Sequence, residues 1–287
     1  TEVDGSAYAL ANRLIDQVEA IVFRDPEHFT IPHSVSDAKS AFKEGRIALA
    51  MGMENGAAIA GDLDNLKHFY DRGIRYITLA HSRSNHISDS SYDPVRLWDG
   101  LSPFGVQLVQ EMNRLGVMID VSHISDAAFW EVMKVSSAPV IASHSSVRKF
   151  TPEWERNMND DMIKALAKNK GVILINFGSS FIHDESNKNH TTYAAARSGF
   201  MEQMGLSDTD HPKVQAFTQA YRAKTPFVFA NVKDVADHID HVVELVGIDY
   251  VGLGSDFDGV GDSLPTGLKD VSMYPNLVAE LLRRDYS

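Results

Sequence analysis

Six apolar runs, each the length of one buried strand, recur along the chain with helical stretches between them. They are RIALAMGME (46–54), YITLAH (76–81), VMIDVSH (117–123), PVIASH (139–144), GVILINF (171–177) and YVGLGSDFD (250–258). Amphipathic spacing predicts intervening helices at about 62–72, 104–115, 126–135, 160–169 and 231–246. Two more precede the first run: one carrying Ala7, Leu10, Ala11, Leu14, Val18, Ile21 and Val22 and stopping before Asp25-Pro26, and a short one at 36–44. A last helix starts near Pro275. Strands that are apolar throughout, rather than on alternate residues, belong to a parallel sheet covered on both faces.

Six such strands suit an open Rossmann-type sheet, but no Gly-rich fingerprint follows the first one, and neither G-x-x-x-x-G-K-[ST] nor G-x-S-x-G occurs. Polar residues gather instead at the carboxyl ends of five different strands, the place where a barrel builds its active site. The expected fold is therefore α/β, a (β/α)8 TIM-type barrel of the metal-dependent hydrolase kind, with six of eight strands identifiable and the first two missing. Residues 1–287 are expected to form a single catalytic domain, N-terminally incomplete, with a polar helical insertion over 178–225.

Composition narrows the function. A formal charge of −12 repels phosphate backbones, so nucleic acid and anionic membranes are not expected partners. With no cysteine there is no disulfide or thiolate, and any metal must sit on His, Asp and Glu. No apolar run approaches the ~18 residues of a membrane span, and the start, TEVDGSAYAL, lacks a signal-peptide layout. Localisation is left open: a cytoplasmic protein is favoured, and a periplasmic or exported one is compatible.

The strand ends carry Glu54, His81, His123, His144 and Asp256. Neighbouring parallel strands lie about 4.8 Å apart and a zinc–nitrogen bond is about 2.1 Å, so histidines at equal depth on adjacent strands can share one metal. Glu54 can join them as a carboxylate ligand, and Asp256 stands where it can accept a proton from water. Blander roles exist for each: a Ser-His pair can cap the next helix, Glu54 can serve as a helix-start carboxylate, and His81 can be a loop residue. DFDGVGD resembles a calcium loop, but from Asp256 its fifth position is Val260 and its twelfth Gly267, which fails the EF-hand pattern. HIDH (238–241) lies within a periodic helix and is read as a solvated helix face. His28, His33, His68, His86, His183, His190 and His211 show no ligand spacing.

At these residues the sequence resembles a known family. MGMENG, YITLAHSRSN, GLSPFGVQLVQEMNRLGVMIDVSH, APVIASHSSVR, ERNMNDDMI, VGLGSDFDGV and LPTGLKDVSMYPNLVAELLRR are similar, in order and spacing, to the membrane (renal) dipeptidase family of zinc peptidases in its bacterial-type form, from about residue 30 to the end. The resemblance implies a (β/α)8 barrel holding two zinc ions. It implies that Glu54 bridges both metals, that His123 and His144 bind the second, and that His81 contacts the substrate carbonyl. Arg156 would bind the dipeptide's terminal carboxylate, which a guanidinium fork suits, and Asp256 would be the acid/base. The family's first strand supplies an H-x-D pair to the first metal, and nothing equivalent precedes Glu54.

The activity implied is hydrolysis of dipeptides, including those with a C-terminal D-residue, by a hydroxide bridging the metals. A homodimer is suggested by the family alone. Two other readings stand beside it: a deaminase- or lactonase-type barrel hydrolase without the Arg156 clamp, and a binding scaffold that lacks the first metal site. Zinc, manganese and cobalt all suit a His/carboxylate site.

Overall fold

The structure is a computed structural model and describes residues 6–287; the opening TEVDG, part of the stretch considered for a targeting signal, lies outside the described residues. Those residues fall into two compact units, one built from the chain up to Ser143 with Asp161–Val172, the other from His144–Asp160 with Ile173–Ser287. Two divisions fall inside strands and one inside a helix, so β6, α6 and β7 each contribute to both units and the sheet is given strand by strand.

In the first unit, helix α1 (Ser6–Arg24) is followed by β1 (Phe29–Thr30), α2 (Val35–Lys43), β2 (Ile47–Ala48) and β3 (Met51–Glu54). The apolar run 46–54, expected as one strand, is two. Ile47 and Ala48 pair with Phe29 and Thr30 in a separate two-stranded sheet, whereas Met51 to Glu54 pair with the next strand of the main sheet. An unbroken apolar run reports burial, not which partner each half takes. Then come α3 (Leu63–Asp71), β4 (Ile74–Thr78), α4 (Pro103–Leu115), β5 (Met118–Asp120), α5 (Asp126–Val135), β6 (Ile141–Ser145) and α6 (Asp160–Lys168). Helix α4 shows why these boundaries fall where they do: the Ser102 hydroxyl accepts from Gly105 N, Pro103 opens the first turn, and Gly116 closes the helix at φ 80°. Gly105 also lets the helix approach the preceding loop, since a Cβ there would stand 2.1 Å from the Ile87 carbonyl oxygen.

The second unit continues with β7 (Val172–Ile175), α7 (Ser179–Ile182), α8 (Asp184–Met204), α9 (Pro212–Lys224), α10 (Val232–Val246), β8 (Val251–Leu253) and α11 (Tyr274–Arg283). Helices α7 to α9 lie between residues 179 and 224. The Asn231/Asp234 capping box opens α10.

The main sheet has six strands in the order β3-β4-β5-β6-β7-β8, and the registers given for its pairs are parallel. Ile77, Ile119, Ala142, Ile173 and Ile175 are fully buried, as a sheet covered by helices requires. Among the described residues, no helix is long and apolar enough to cross a membrane.

Candidate metal centre

The register explains why three histidines occur where they do. Glu54 stands opposite Thr78, Thr78 opposite Asp120, and Asp120 opposite Ile141. His81, His123 and His144 each follow a member of that row by three residues (81 − 78, 123 − 120, 144 − 141), so they leave consecutive strands at equal depth. Glu54 itself closes β3.

Their side chains converge. Glu54 Oε1 lies 3.1 Å from His123 Nε2 and 3.6 Å from His81 Nε2, and the two imidazole rings are 4.3 Å apart. Glu54, His123 and His144 each present a ligand atom, all within 4.8 Å of one another. Such a set of one carboxylate oxygen and two imidazole nitrogens, free of sulfur, fits zinc and its borderline neighbours. Glu54 is 49% exposed while His123 is 6% exposed, so the cluster has a buried wall and an open side.

Backbone conformation aims these groups. Asn55 (φ 71°), His123 (φ 69°) and Asp256 (φ 57°) occupy left-handed conformations at strand ends. For a non-glycine residue such a conformation costs on the order of 1 kcal/mol and tends to be retained where a side chain must be turned toward a site. The Asn55 side chain accepts from Asn85 Nδ2, which also donates to Leu79 O. Asn85 Oδ1 in turn holds the amides of Ile87 and Ser88, and Asp89 holds those of Leu97, Trp98 and Gly100. The 82–103 loop is thus built on two buried polar side chains. His81 Nδ1 is 2.7 Å from the Ser82 hydroxyl, and its carbonyl accepts from Ser90.

Beneath the cluster sit two groups that the sequence motifs do not mark. Asp120, fully buried, accepts hydrogen bonds from Thr78, Ser122 and Ser143. Tyr76 packs its ring over Gly52, and its phenol pKa is raised by burial and by the Asp120 and Glu54 carboxylates. The one available signal for Asp120 is that it stands as a lone carboxylate within VMIDVSH, an apolar strand.

In the second unit Arg156 is 3% exposed, donating from NH1 to Ser145 Oγ (2.9 Å) and from NH2 to the His144 carbonyl (2.7 Å), and its guanidinium lies 5.2 Å over the Phe181 ring. Asp256 Oδ2 accepts from Asn176 Nδ2 at 2.8 Å, and Asn176 is itself fully buried. Gly259 makes room for the same carboxylate: a Cβ there would fall 1.9 Å from Asp256 Oδ1.

HIDH is not a solvated face. His238 is fully buried, with Nδ1 accepting from Val147 N and Nε2 donating to the Ile182 carbonyl. Burial pushes its pKa down to about 3, which keeps it neutral. Val235, His238, Ile239 and Val242 share one i, i+3, i+4, i+7 stripe, so the helical period itself places this histidine inward. His241 Nε2 pairs with Asp160 at 2.8 Å.

Parallel strands alternating with helices, and a His/carboxylate cluster at their carboxyl ends, define the class of metal-dependent α/β hydrolases. Within it the chain belongs to the membrane dipeptidase family (Peptidase family M19), whose profile matches residues 3–287. It is 35% identical to dipeptidase tcpJ of Claviceps purpurea across 95% of this chain and 54% of that protein. It is 34% identical to dipeptidase verJ of Clonostachys rogersoniana across 95% of this chain and 59% of that one. The chain thus spans about half the length of the curated relatives it matches. Among solved structures it resembles the probable dipeptidase PvdM of Pseudomonas aeruginosa (TM-score 0.80, 28% identity, 95% of this chain and 72% of that one). It also resembles a Rhodobacter sphaeroides metallo peptidase liganded with a phosphinate mimic of L-Ala-D-Ala (TM-score 0.73, 27% identity, 97% and 68%). These neighbours agree with the expected barrel class.

Proposed function

We propose that this chain is the catalytic domain of a zinc-dependent dipeptidase, a barrel with a helical insertion at 178–225, and that Glu54, His123 and His144 hold its metal. The observation that carries the reading is their convergence within 4.8 Å at the ends of three strands of one sheet. Family membership and the named dipeptidase relatives support the substrate class. A second ion bridged by Glu54 follows from the family resemblance, as does a homodimer, which light scattering tests. When bound, a divalent ion supplies Lewis acidity toward a peptide carbonyl and toward water.

The chain's own residues then have these roles. In the tautomer in which His81 Nδ1, 2.7 Å from the Ser82 hydroxyl, accepts from it, the proton sits on Nε2, from which His81 donates to the oxygen that gains charge as the carbonyl is attacked. Asp256, oriented by Asn176, accepts a proton from water and passes it to the departing amine. Arg156 receives the substrate's terminal carboxylate on its planar guanidinium, which limits substrates to those ending next to the scissile bond. Assaying zinc-loaded protein with L-Ala-D-Ala, an all-L dipeptide and the C-terminal amide of each tests this. Turnover of the free acids with little of the amides is expected. Equal turnover of the amides favours a different barrel hydrolase, and saturable binding without turnover favours a scaffold.

A further inference from the structure

Three strand ends in the first unit meet at one carboxylate. Asp120 Oδ1 accepts the backbone amides of Ser122 (3.0 Å) and Ser143 (2.9 Å), and Oδ2 accepts the hydroxyls of Thr78 and Ser143, both at 2.6 Å. The register causes this. Thr78 and Asp120 are cross-strand neighbours on β4 and β5, and Ser143 is two residues beyond Ile141, the β6 partner of Asp120, so it returns to the same face. An ionised carboxylate is acceptor-only with about four lone-pair sites, and here four donors fill them. All four are neutral.

Each donor's place in sequence gives the arrangement its meaning. Ser122 immediately precedes His123, Ser143 immediately precedes His144, and Thr78 lies three residues before His81. We propose that Asp120 is the positioning residue of the metal centre, fixing the spacing of His123 and His144 by tying the backbone just before each to one rigid, fully buried acceptor. This rests on the proposed metal site and assigns the group that sets its geometry. Asp120 acts through hydrogen bonds rather than charge. Its Oδ1 serves backbone amides, which must find an acceptor, whereas its Oδ2 serves hydroxyls, which can rotate and accept instead. Asparagine should therefore replace it, with Oδ1 kept on the amides and the amide nitrogen donating to Thr78 and Ser143. Alanine leaves all four groups without their acceptor, those of Thr78 and Ser122 fully buried.

Competitive titration of the metal-free full chain with zinc tests this, comparing the unaltered protein, Asp120→Ala, Asp120→Asn and Glu54→Gln, with circular dichroism on each. Asp120→Ala should weaken zinc binding by about 10–100-fold, the usual effect of losing an outer-shell partner, while Asp120→Asn stays within a few-fold of the unaltered protein. Folded Asp120→Ala that binds zinc normally overturns the proposal, as does Asp120→Asn that loses as much as alanine. If alanine does not fold, Asp120→Ser leaves one short hydroxyl in place of the carboxylate, too short to hold both the Ser122 and Ser143 amides. A several-fold loss of zinc affinity in the folded serine variant supports the proposal, and an unchanged affinity overturns it. Absence of saturable zinc binding in the unaltered protein overturns the metal site itself, an outcome distinct from an Asp120 variant that binds normally while Glu54→Gln does not.

Discussion

Glu54 Oε1 stands 3.1 Å from His123 Nε2, although the two residues lie 69 positions apart (123 − 54) on strands separated by β4. A carboxylate and an imidazole at that distance can hydrogen-bond to each other or share an ion between them, and His144 completes the second arrangement. Glu54→Gln keeps the shape and removes the charge. Zinc affinity should fall at least about 100-fold, beyond what an outer-shell change produces, with secondary structure unchanged. Calorimetric or competitive zinc titration measures it, and retention of full affinity removes Glu54 from the ligand set.

Gly259→Ala addresses Asp256. The added methyl would overlap the Asp256 carboxylate, 1.9 Å away, and push it off the position Asn176 holds. Since Asp256 is assigned to proton transfer, kcat for a dipeptide should fall by about 10²–10⁴, the usual range for a lost acid/base group, with KM little changed. Normal kcat in a folded Gly259→Ala protein takes the proton-transfer role away from Asp256.

Arg156→Lys keeps the charge and loses the planar fork. Lysine cannot serve the Ser145 hydroxyl, the His144 carbonyl and a substrate carboxylate together. KM for dipeptides should rise more steeply than kcat falls. Because Arg156 is buried and holds the His144 carbonyl, Arg156→Ala should also lower the melting temperature, so lysine is the cleaner kinetic probe. An unchanged KM removes the residue from carboxylate recognition.

His238 gives the fold an acid-sensitive element. Its folded pKa, about 3, lies below the 6.5 of the free side chain, so between those values the unfolded chain binds the extra proton. Its contribution to stability is complete above pH 6.5 and is lost progressively as pH falls toward 3. His238→Asn keeps an acceptor for Val147 N and removes the titration. Denaturation measured from pH 7.5 to 5 should show a shallower pH slope for the variant, along with lower stability at pH 7.5. Identical slopes would mean that His238 is not the source.

Much of the site is legible in the sequence because strand ends repeat. Ser-His after an apolar run occurs in both VMIDVSH and PVIASH, and the register places those histidines at equal depth. Partner choice is not legible in the same way. The run 46–54 serves two sheets, a division that depends on where Phe29 and Thr30 lie. For His238 the H-x-D spacing of HIDH is the wrong signal, and its stripe with Val235, Ile239 and Val242 is the right one. Asp120 and Asn176, which orient others rather than react, carry no motif, and only their hydrogen-bond partners reveal them.

The most direct test of the metal site is diffraction from crystals grown with zinc and without chelator, using data on both sides of the zinc absorption edge. An anomalous peak is expected about 2.0–2.2 Å from a Glu54 carboxylate oxygen and from one nitrogen each of His123 and His144. Strong anomalous density elsewhere, or none at these three residues in a fully folded protein, would contradict it.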